Sequence, residues 1–257
     1  MNVFVFDIET VPDVEGARRI HDLEGLDDKG VADVLFYHRR QQANTEFLRH
    51  HLHRIVAISV VFRGSSDRLK VWSLGDEGSS EKELIQRFFE GINKYTPTLV
   101  SWNGSGFDLP VLHYRMLVNG VVAPRYWDNG DDDRDFKWNN YLSRYHQRHT
   151  DLMDVLAGFS PRANAPLDEM AALLGFPGKM GMSGAKVWDA YQAGDIKGIR
   201  HYCELDVLNT YLIYLRYQMI RGQLLEAEYI NECQMLRSVL AEEKHEHFDR
   251  FLSAWKN

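Results

Sequence analysis

Two acidic side chains near the start of the chain have a spacing that could hold a metal ion. Asp7 and Glu9 lie in the largely apolar run of residues 3–10, which predicts a β-strand. Because the side chains of a strand alternate between its two faces, both carboxylates project from one face, about 7 Å apart. Carboxylate oxygens are ligands that Mg²⁺ prefers. The pair therefore predicts half of a metal site, and the alternative is two solvated acids at the end of a strand.

Two later segments carry further acids and a phenol. Asp108 follows the predicted strand 98–102 and a glycine-containing turn, at the point where a helix begins. The alternative for Asp108 is a helix cap or a first-turn acid. Tyr202 and Asp206 are four residues apart in the helix predicted over 196–221, so they share one face of it. Three separated segments thus supply four carboxylates and one hydroxyl group.

The elements that must position these residues alternate between strands and helices, which predicts an α/β protein. The predicted strands are 3–10, 54–63, 69–74 and 98–102, and a turn at 65–67 makes the second and third antiparallel. The predicted helices are 80–95, 108–120, 149–156, 166–176, 196–221 and the tail 223–257. Residues 11–44 form a longer connection between two strands than a β-hairpin needs. We expect this segment to cover the site as a flap, with a short helix at 31–42.

Composition limits the classes of protein that the chain can be. Its 257 residues, 44% hydrophobic and 26% charged, indicate a globular domain with no segment long enough to span a membrane. The net charge of -7 argues against a protein that coats nucleic acid, but it allows a nucleic-acid enzyme whose metal site is itself acidic. Cys203 and Cys233 match no zinc-ligand spacing, and no basic leader precedes the first strand. We therefore expect a cytoplasmic protein with reduced thiols.

Other charged segments have two possible interpretations. The acidic run 131–135 predicts a solvated loop, and metal binding is the alternative. Lys179 lies in the flexible loop 177–184 and could face a phosphate backbone, or belong to an ordinary surface loop. His245 and His247 are two residues apart on a helix, do not face one site, and are predicted to be solvated.

Three motifs in order resemble those of a known enzyme superfamily. Phe6-Asp7-Ile8-Glu9-Thr10 resembles the first motif of the DEDD 3′–5′ exonucleases, and the segment from Asn103 to Asp108 resembles the second. Tyr202-x-x-x-Asp206 resembles the third motif in its tyrosine-containing (DEDDy) form. The resemblance covers roughly residues 1–217. The chain is most similar to the predicted exonucleases related to the proofreading domain of family B DNA polymerases. The segment Pro177-Gly178-Lys179 also resembles that group.

This resemblance implies a fold and a set of residue roles. The implied fold is ribonuclease H-like, a mixed β-sheet flanked by α-helices over residues 1–217, with 218–257 as a C-terminal helical extension packed on the same domain. The implied cofactors are two divalent cations, Mg²⁺ or Mn²⁺, bridged by Asp7. Glu9 and Asp206 then complete the site of the ion that activates water, and Asp108 holds the second ion, either directly or through a water molecule. Tyr202 orients the water, and the implied substrate contacts are Thr10, Asn103, Phe107 and Lys179.

The function implied by the resemblance is a metal-dependent 3′–5′ exonuclease. It would hydrolyse phosphodiester bonds at the 3′ end of nucleic acid, with single-stranded DNA favoured, and release nucleoside 5′-monophosphates. One alternative is a catalytically silent nucleic-acid-binding module of the same fold, and another is an exoribonuclease. No polymerase palm or thumb fits in the rest of the chain, so a polymerase or repair protein would be a separate partner, and no membrane partner is expected.

Overall fold

The structure of the chain is a computed structural model that describes residues 2–65 and 68–256. In these residues it contains the strands β1 (Val3–Pro12), β2 (His53–Arg63), β3 (Leu69–Ser73), β4 (Thr98–Ser101) and β5 (His149–Asp151). The α-helices are α1 (Val14–His21), α2 (Asp28–Ala43), α3 (Glu81–Tyr95), α4 (Asp108–Asn119), α5 (Pro124–Trp127), α6 (Leu152–Leu156), α7 (Leu167–Leu173), α8 (Val187–Gln192), α9 (Ile196–Ile220), α10 (Glu226–Glu243) and α11 (Glu246–Ala254). Short 3₁₀ helices are His50–Leu52, Arg134–Lys137, Pro161–Ala163 and Gly184–Lys186.

The five strands form one mixed sheet in the order β3-β2-β1-β4-β5. β2 runs antiparallel to both β1 and β3, whereas β4 and β5 run parallel to β1. The α/β class, the mixed sheet flanked by helices and the antiparallel β2–β3 pair are therefore confirmed. Residues 66 and 67 of the predicted turn lie outside the described residues. Among the described residues, no helix is both long and apolar enough to cross a lipid bilayer.

β1 lies at the centre of the sheet, and its alternating side chains enter two different cores. Phe4 and Phe6 pack with residues of α3 and α4 on one face. Val3 and Val5 pack with residues of α9 on the other face. Asp7 and Glu9 follow Val3 and Val5 with a period of two, so the alternation directs them to the side of the sheet that α9 covers.

α9 carries the third motif because it lies across this face of the sheet and contacts β1, β2 and β3. Its apolar residues Leu208 and Leu212 are fully buried, and so are Leu236 and Leu240 of α10 in the same core. Phe251 of α11 belongs to that core as well. The last two helices thus cover the outer side of α9, while the domain boundary expected at residue 217 stays a prediction.

Two predicted elements near the site differ from the structure. The helix expected over 149–156 is wrong in its first part, because His149–Asp151 forms β5, which pairs with β4, and only Leu152–Leu156 is helical. A strand of three residues is too short to show a period of two. The segment after β1 contains α1 as well as a second helix longer than the one predicted, α2, which Asp27 caps.

Candidate active site

The carboxylates of all three motifs converge on one face of β1. Asp7 lies opposite Ser59 of β2, and Glu9 lies opposite Ala57 just before a register shift in the β1–β2 pairing. Asp108 begins α4, and its Oδ1 accepts a hydrogen bond from the backbone N–H of Ile8 at 3.2 Å. This bond fixes Asp108 beside the strand segment that carries the other two acids.

The loop before Asp108 is held by an acid that sequence reasoning did not single out. Asp151, at the end of β5, accepts hydrogen bonds from the backbone N–H groups of Asn103 (2.9 Å) and Ser105 (2.8 Å). Gly104 allows a close turn here, because a Cβ at this position would lie only 2.2 Å from Ser101 Oγ. The parallel pairing of β4 with β5 therefore sets the position of Asp108.

α9 brings three side chains to the same place. The Tyr202 hydroxyl lies on the same face of α9 as Asp206, one helical turn away, and its interaction with that carboxylate lowers the pKa of Asp206. The Cys203 thiol lies 3.4 Å from Asp7 Oδ2 and is fully buried. Ligand atoms of Asp7, Glu9 and Cys203 all lie within 4.8 Å of one another. Cys203 was not expected in the site, since neither of its neighbours in the motif indicates where a thiol on a helix will point.

Burial and mutual repulsion make the acids of the site hard to ionise. Burial, and then the charges of Asp108 and Asp206, raise the pKa of Asp7 well above its usual range. Burial, followed by the charge of Asp7, does the same to the pKa of Glu9. Burial raises the pKa of Asp108 to about 7 and that of Asp206 to about 6. The pKa of Tyr202 is raised by burial and then by Asp206, so its hydroxyl keeps its proton at neutral pH.

The donor set fits hard divalent cations. Within residues 2–65 and 68–256, none of the four motif acids forms an ion pair with a lysine or arginine. Lys179, on an exposed loop, lowers the pKa of Asp206 through its charge, whereas Asp168 raises it. Buried carboxylates without basic partners are costly, and Mg²⁺ or Mn²⁺ bound to their oxygens would remove that cost.

An aromatic cleft of about 430 Å³ adjoins Glu9 and Thr10. The cleft is also lined by Phe47, His53 and Phe107, whose rings lie 5.1–5.5 Å apart between centroids. Within residues 11–44, which were expected to cover the site, Val11, Pro12 and Phe36 line the cleft. The residues 45–48, beyond the predicted flap, form another wall of it. Thr10 Oγ1 lies 2.8 Å from His53 Nδ1, which fixes the orientation of both side chains.

The four residues expected to contact substrate do not form one group. Thr10 and Phe107 line the aromatic cleft. Asn103 lines a second cavity, of about 700 Å³, on the side of α5 and β5. Lys179 is exposed on the loop near Asp206. The structure thus brings the first two together and leaves the other two at separate edges of the site.

Behind the third motif lies a buried hydrogen-bonded cluster that the sequence did not indicate. Glu204 accepts hydrogen bonds from the backbone N–H (2.9 Å) and hydroxyl (2.7 Å) of Ser73, and from His247 Nε2 at 2.7 Å. Burial alone would raise the pKa of Glu204, but these bonds hold it below the usual value. The prediction that His247 is solvated is wrong, because only 1% of it is exposed, whereas His245 is exposed as expected. The turn between α10 and α11 directs His247 inwards.

Comparison with known proteins identifies a family for most of the chain. Residues 45–255 match the family model described as "Predicted 3′-5′ exonuclease related to the exonuclease domain of PolB". The matched residues include Asp108, Tyr202 and Asp206. Asp7 and Glu9 precede the matched range, and the fold places them beside these three residues. No curated protein sequence matches the chain.

One solved structure that the chain resembles is the family B DNA polymerase from the hyperthermophilic archaeon Pyrobaculum calidifontis. The two share 17% sequence identity with a TM-score of 0.47. The likeness covers 84% of this chain and 25% of the polymerase, so the chain spans about a quarter of that protein.

Proposed function

The chain belongs to the family of predicted 3′–5′ exonucleases related to the exonuclease domain of PolB, and we propose that it hydrolyses the 3′-terminal phosphodiester bond of single-stranded DNA. The released products are nucleoside 5′-monophosphates. One observation carries the proposal: four carboxylates from three motifs converge beside an aromatic cleft, and none of them has an ion pair with a basic residue in the described parts of the chain. Glu9 and Asp108 are buried, and Asp7 and Asp206 are partly buried.

The four acids are the residues that would hold two divalent cations, Mg²⁺ or Mn²⁺. Asp7 lies near enough to Asp108 and to Asp206 for both charges to raise its pKa, so it would be a ligand shared by the group. Glu9 and Asp206 would complete one ion site, and Asp108 would complete the other. When bound, the ions lower the pKa of the attacking water and neutralise charge on the leaving oxygen.

Tyr202 is suited to hold the attacking water rather than to take its proton. Its hydroxyl lies one helical turn from Asp206 and interacts with that carboxylate, and its raised pKa keeps it protonated at neutral pH. A protonated phenol next to the carboxylate can accept a hydrogen bond from water and fix its direction. We therefore assign Tyr202 a positioning role in the hydrolysis.

The aromatic cleft supports an unpaired terminal nucleotide as substrate. Phe47 and Phe107 offer ring faces for stacking a base, and stacking of this kind accepts every base. Such contacts need a base that has been separated from its complement, because a paired base offers no free face. The cleft begins at Glu9, so a stacked terminal base would place its own phosphodiester beside the acids.

The proposal is tested by digesting 5′-labelled oligonucleotides of single-stranded DNA, single-stranded RNA and blunt duplex DNA. We expect products shortened from the 3′ end of the single strand in Mn²⁺ or Mg²⁺, none in chelator, and none from a strand blocked by a 3′-phosphate. Asp108→Asn is the matched inactive control. Binding of the oligonucleotide without hydrolysis in any metal would instead favour the silent nucleic-acid-binding module, and faster digestion of RNA would favour an exoribonuclease.

Two further expectations belong to the same proposal. A polymerase or repair protein is the partner that such an activity would serve. A cytoplasmic location stays a prediction.

A further inference from the structure

The segment between β1 and β2 contains a further cavity, of about 190 Å³, that the proposed hydrolysis does not use. Residues of α1, α2 and the chain just before β2 enclose it, and none of the described residues that line it is acidic. Its arginines and histidines, which together we call the basic groove, are His21, His38, Arg39, Arg49 and His51. We propose that the basic groove binds the phosphodiester backbone of single-stranded DNA upstream of its 3′ end, an inference that rests on the proposed function.

The two arginines of the basic groove have no acidic partner. In the described parts of the chain neither Arg39 nor Arg49 forms an ion pair, whereas the neighbouring Arg40 pairs with Glu46. Arg39 is half-buried and Arg49 is exposed. The chain carries a net charge of -7, so these unpaired cations are a local exception to its overall charge. Guanidinium groups bind phosphate with two parallel hydrogen bonds, which makes a phosphate the expected counter-ion.

Three exposed histidines add hydrogen-bond donors around the arginines. The rings of His21 in α1 and His38 in α2 lie 5.6 Å apart between centroids, at an angle of 78°. His51 lies on the 3₁₀ helix before β2. An imidazole offers at least one N–H donor whether it is neutral or charged. The groove therefore presents donors from three separate elements, which suits a ligand with several anionic oxygens.

The basic groove shares a wall with the aromatic cleft. Leu48 lines both cavities, and Phe47 lines the cleft. Arg39 Nε donates a hydrogen bond to the Phe47 carbonyl oxygen at 2.7 Å. His50 Nε2 donates one to the Gly106 carbonyl oxygen at 2.8 Å, which ties this wall to the loop before α4. A strand whose terminal base stacks in the cleft would therefore cross the wall and bring its next phosphates to the groove.

Much of the basic groove lies outside the part of the chain that the family model matches. That match begins at residue 45, whereas His21, His38 and Arg39 come earlier in the chain. Contacts with phosphates hold a strand in place but carry no information about its base sequence. We therefore expect the groove to strengthen the binding of longer strands equally for all sequences, while the acids perform the reaction.

The test is the binding of a fluorescein-labelled single-stranded DNA of about 12 nucleotides, followed by fluorescence anisotropy in chelator at several salt concentrations. Metal is not needed, because the charge of the groove belongs to the protein. We expect Arg49→Gln to weaken binding about 5-fold at low salt. It should also reduce the slope of log K against log salt by ~0.7, the value for one contact with a single strand.

A double variant and a matched control sharpen the test. Arg39→Gln with Arg49→Gln should reduce the slope by ~1.4. Arg221→Gln with Arg250→Gln removes the same charge from exposed positions after α9 and on α11, and it should bind like the wild type. Equal losses in the two double variants would show a general effect of charge and overturn the proposal. Wild-type affinity and slope in the first double variant would also overturn it.

The single variant covers the case in which the double variant does not fold. Arg39 also holds Phe47, so its loss could disturb the aromatic cleft, whereas Arg49 lies only near Gln42, at 3.5 Å. Circular dichroism of each variant establishes that it is folded before titration. A folded Arg49→Gln protein with the affinity and salt slope of the wild type would by itself contradict the proposed contact.

The two proposals fail separately. Binding in chelator requires no hydrolysis, so strand binding that depends on Arg39 and Arg49 in a protein without nuclease activity rejects only the proposed hydrolysis. If the nuclease is active, Arg49→Gln should raise KM for the longer strand by more than KM for a dinucleotide, which has no upstream phosphate. Equal changes of KM for the two substrates in an active nuclease would reject only the basic groove.

Discussion

Residues 7–13 contribute acids to two separate clusters. Only the cluster at Asp13 contains a basic residue that neutralises its acids. Asp7 and Glu9 in β1 have no basic ion-pair partner among the described residues. Asp13, the residue after β1, lies 2.5 Å from Arg115 Nη1. Arg115 also binds Glu81 through Nε (2.8 Å) and Nη2 (2.6 Å), and all three side chains are at least 92% buried.

The difference separates acids that hold the fold from acids that are available to a ligand. Arg115 of α4 ties the start of the flap at Asp13 to α3 at Glu81, and Glu81 also accepts a hydrogen bond from the backbone N–H of Ile55 (2.7 Å). This cluster is complete within the protein. The cluster around Asp7 is not, so its charge must be met by protons or by added cations.

The strongest test of this contrast is to remove one acid from each cluster. We expect Asp7→Ala to lower the rate of hydrolysis by about 10³-fold or more, since metal ions contribute several kcal/mol to such reactions. Without metal its melting temperature should equal or exceed that of the wild type, because like charges no longer repel. Activity assays and thermal melts in chelator measure both effects.

Asp13→Ala is the matched counterpart and should behave in the opposite way. It leaves Arg115 with one partner fewer and removes the cap that Asp13 Oδ1 gives to α1 at Gly16 N. We expect a lower melting temperature at any metal concentration. If Asp7→Ala kept wild-type hydrolysis, or if Asp13→Ala were as stable as the wild type, the contrast would not hold.

Within the unpaired cluster, Tyr202→Phe separates orientation from metal binding. The change should lower turnover by ~10²–10⁴, as is typical for a side chain that positions a proton-transferring group. The rise in melting temperature caused by Mn²⁺ should stay near the wild-type value, because the phenol is not a proposed ligand. Full turnover would remove Tyr202 from the mechanism, and a lost metal response would make it a ligand.

Within the paired cluster, Arg115→Met should cost stability without any direct effect on chemistry. The substitution keeps much of the side-chain volume but leaves Asp13 and Glu81 buried without a positive charge, which typically costs about 3–5 kcal/mol. Urea unfolding measures the loss. A double change that also replaces Glu81 with Gln should recover part of it, and a variant as stable as the wild type would show that the cluster is dispensable.

The smallest expected effect is the dependence of stability on pH and metal. The pKa of Asp108 is raised to about 7 and that of Asp206 to about 6, so the folded state keeps protons that the unfolded state has lost. In chelator, stability should therefore fall as pH rises from about 4 to about 7. Mn²⁺ at 100 times its dissociation constant should add about 2.7 kcal/mol at pH 8 and less at pH 5, where protons compete. Thermal melts across this range, with Asp7→Ala as control, measure both trends.

The sequence predicted the side-chain positions that follow from the periodicity of a strand or a helix. It did not predict the contacts that depend on how separate elements pack together. A period of two placed Asp7 and Glu9 on one face, and a separation of four residues placed Tyr202 beside Asp206. Asp151 holds the loop of Asp108 only because β5 pairs with β4, and nothing near Asp151 in sequence indicates that pairing. Cys203 faces Asp7 because α9 crosses β1 at one particular rotation, which its apolar pattern does not specify.

The hydrogen bond between His247 and Glu204 determines how late in synthesis the support of the third motif is complete. The third motif lies on α9, but the helix that anchors it through His247 is translated about 40 residues after Asp206. At about 5–20 residues per second, this interval lasts roughly 2–8 s. During that time the sheet and α9 can form while the Glu204 carboxylate still lacks its donor from α11. We therefore expect two events in order as the chain is synthesised. The β-sheet first becomes resistant to proteolysis, and tight binding of a divalent cation follows later.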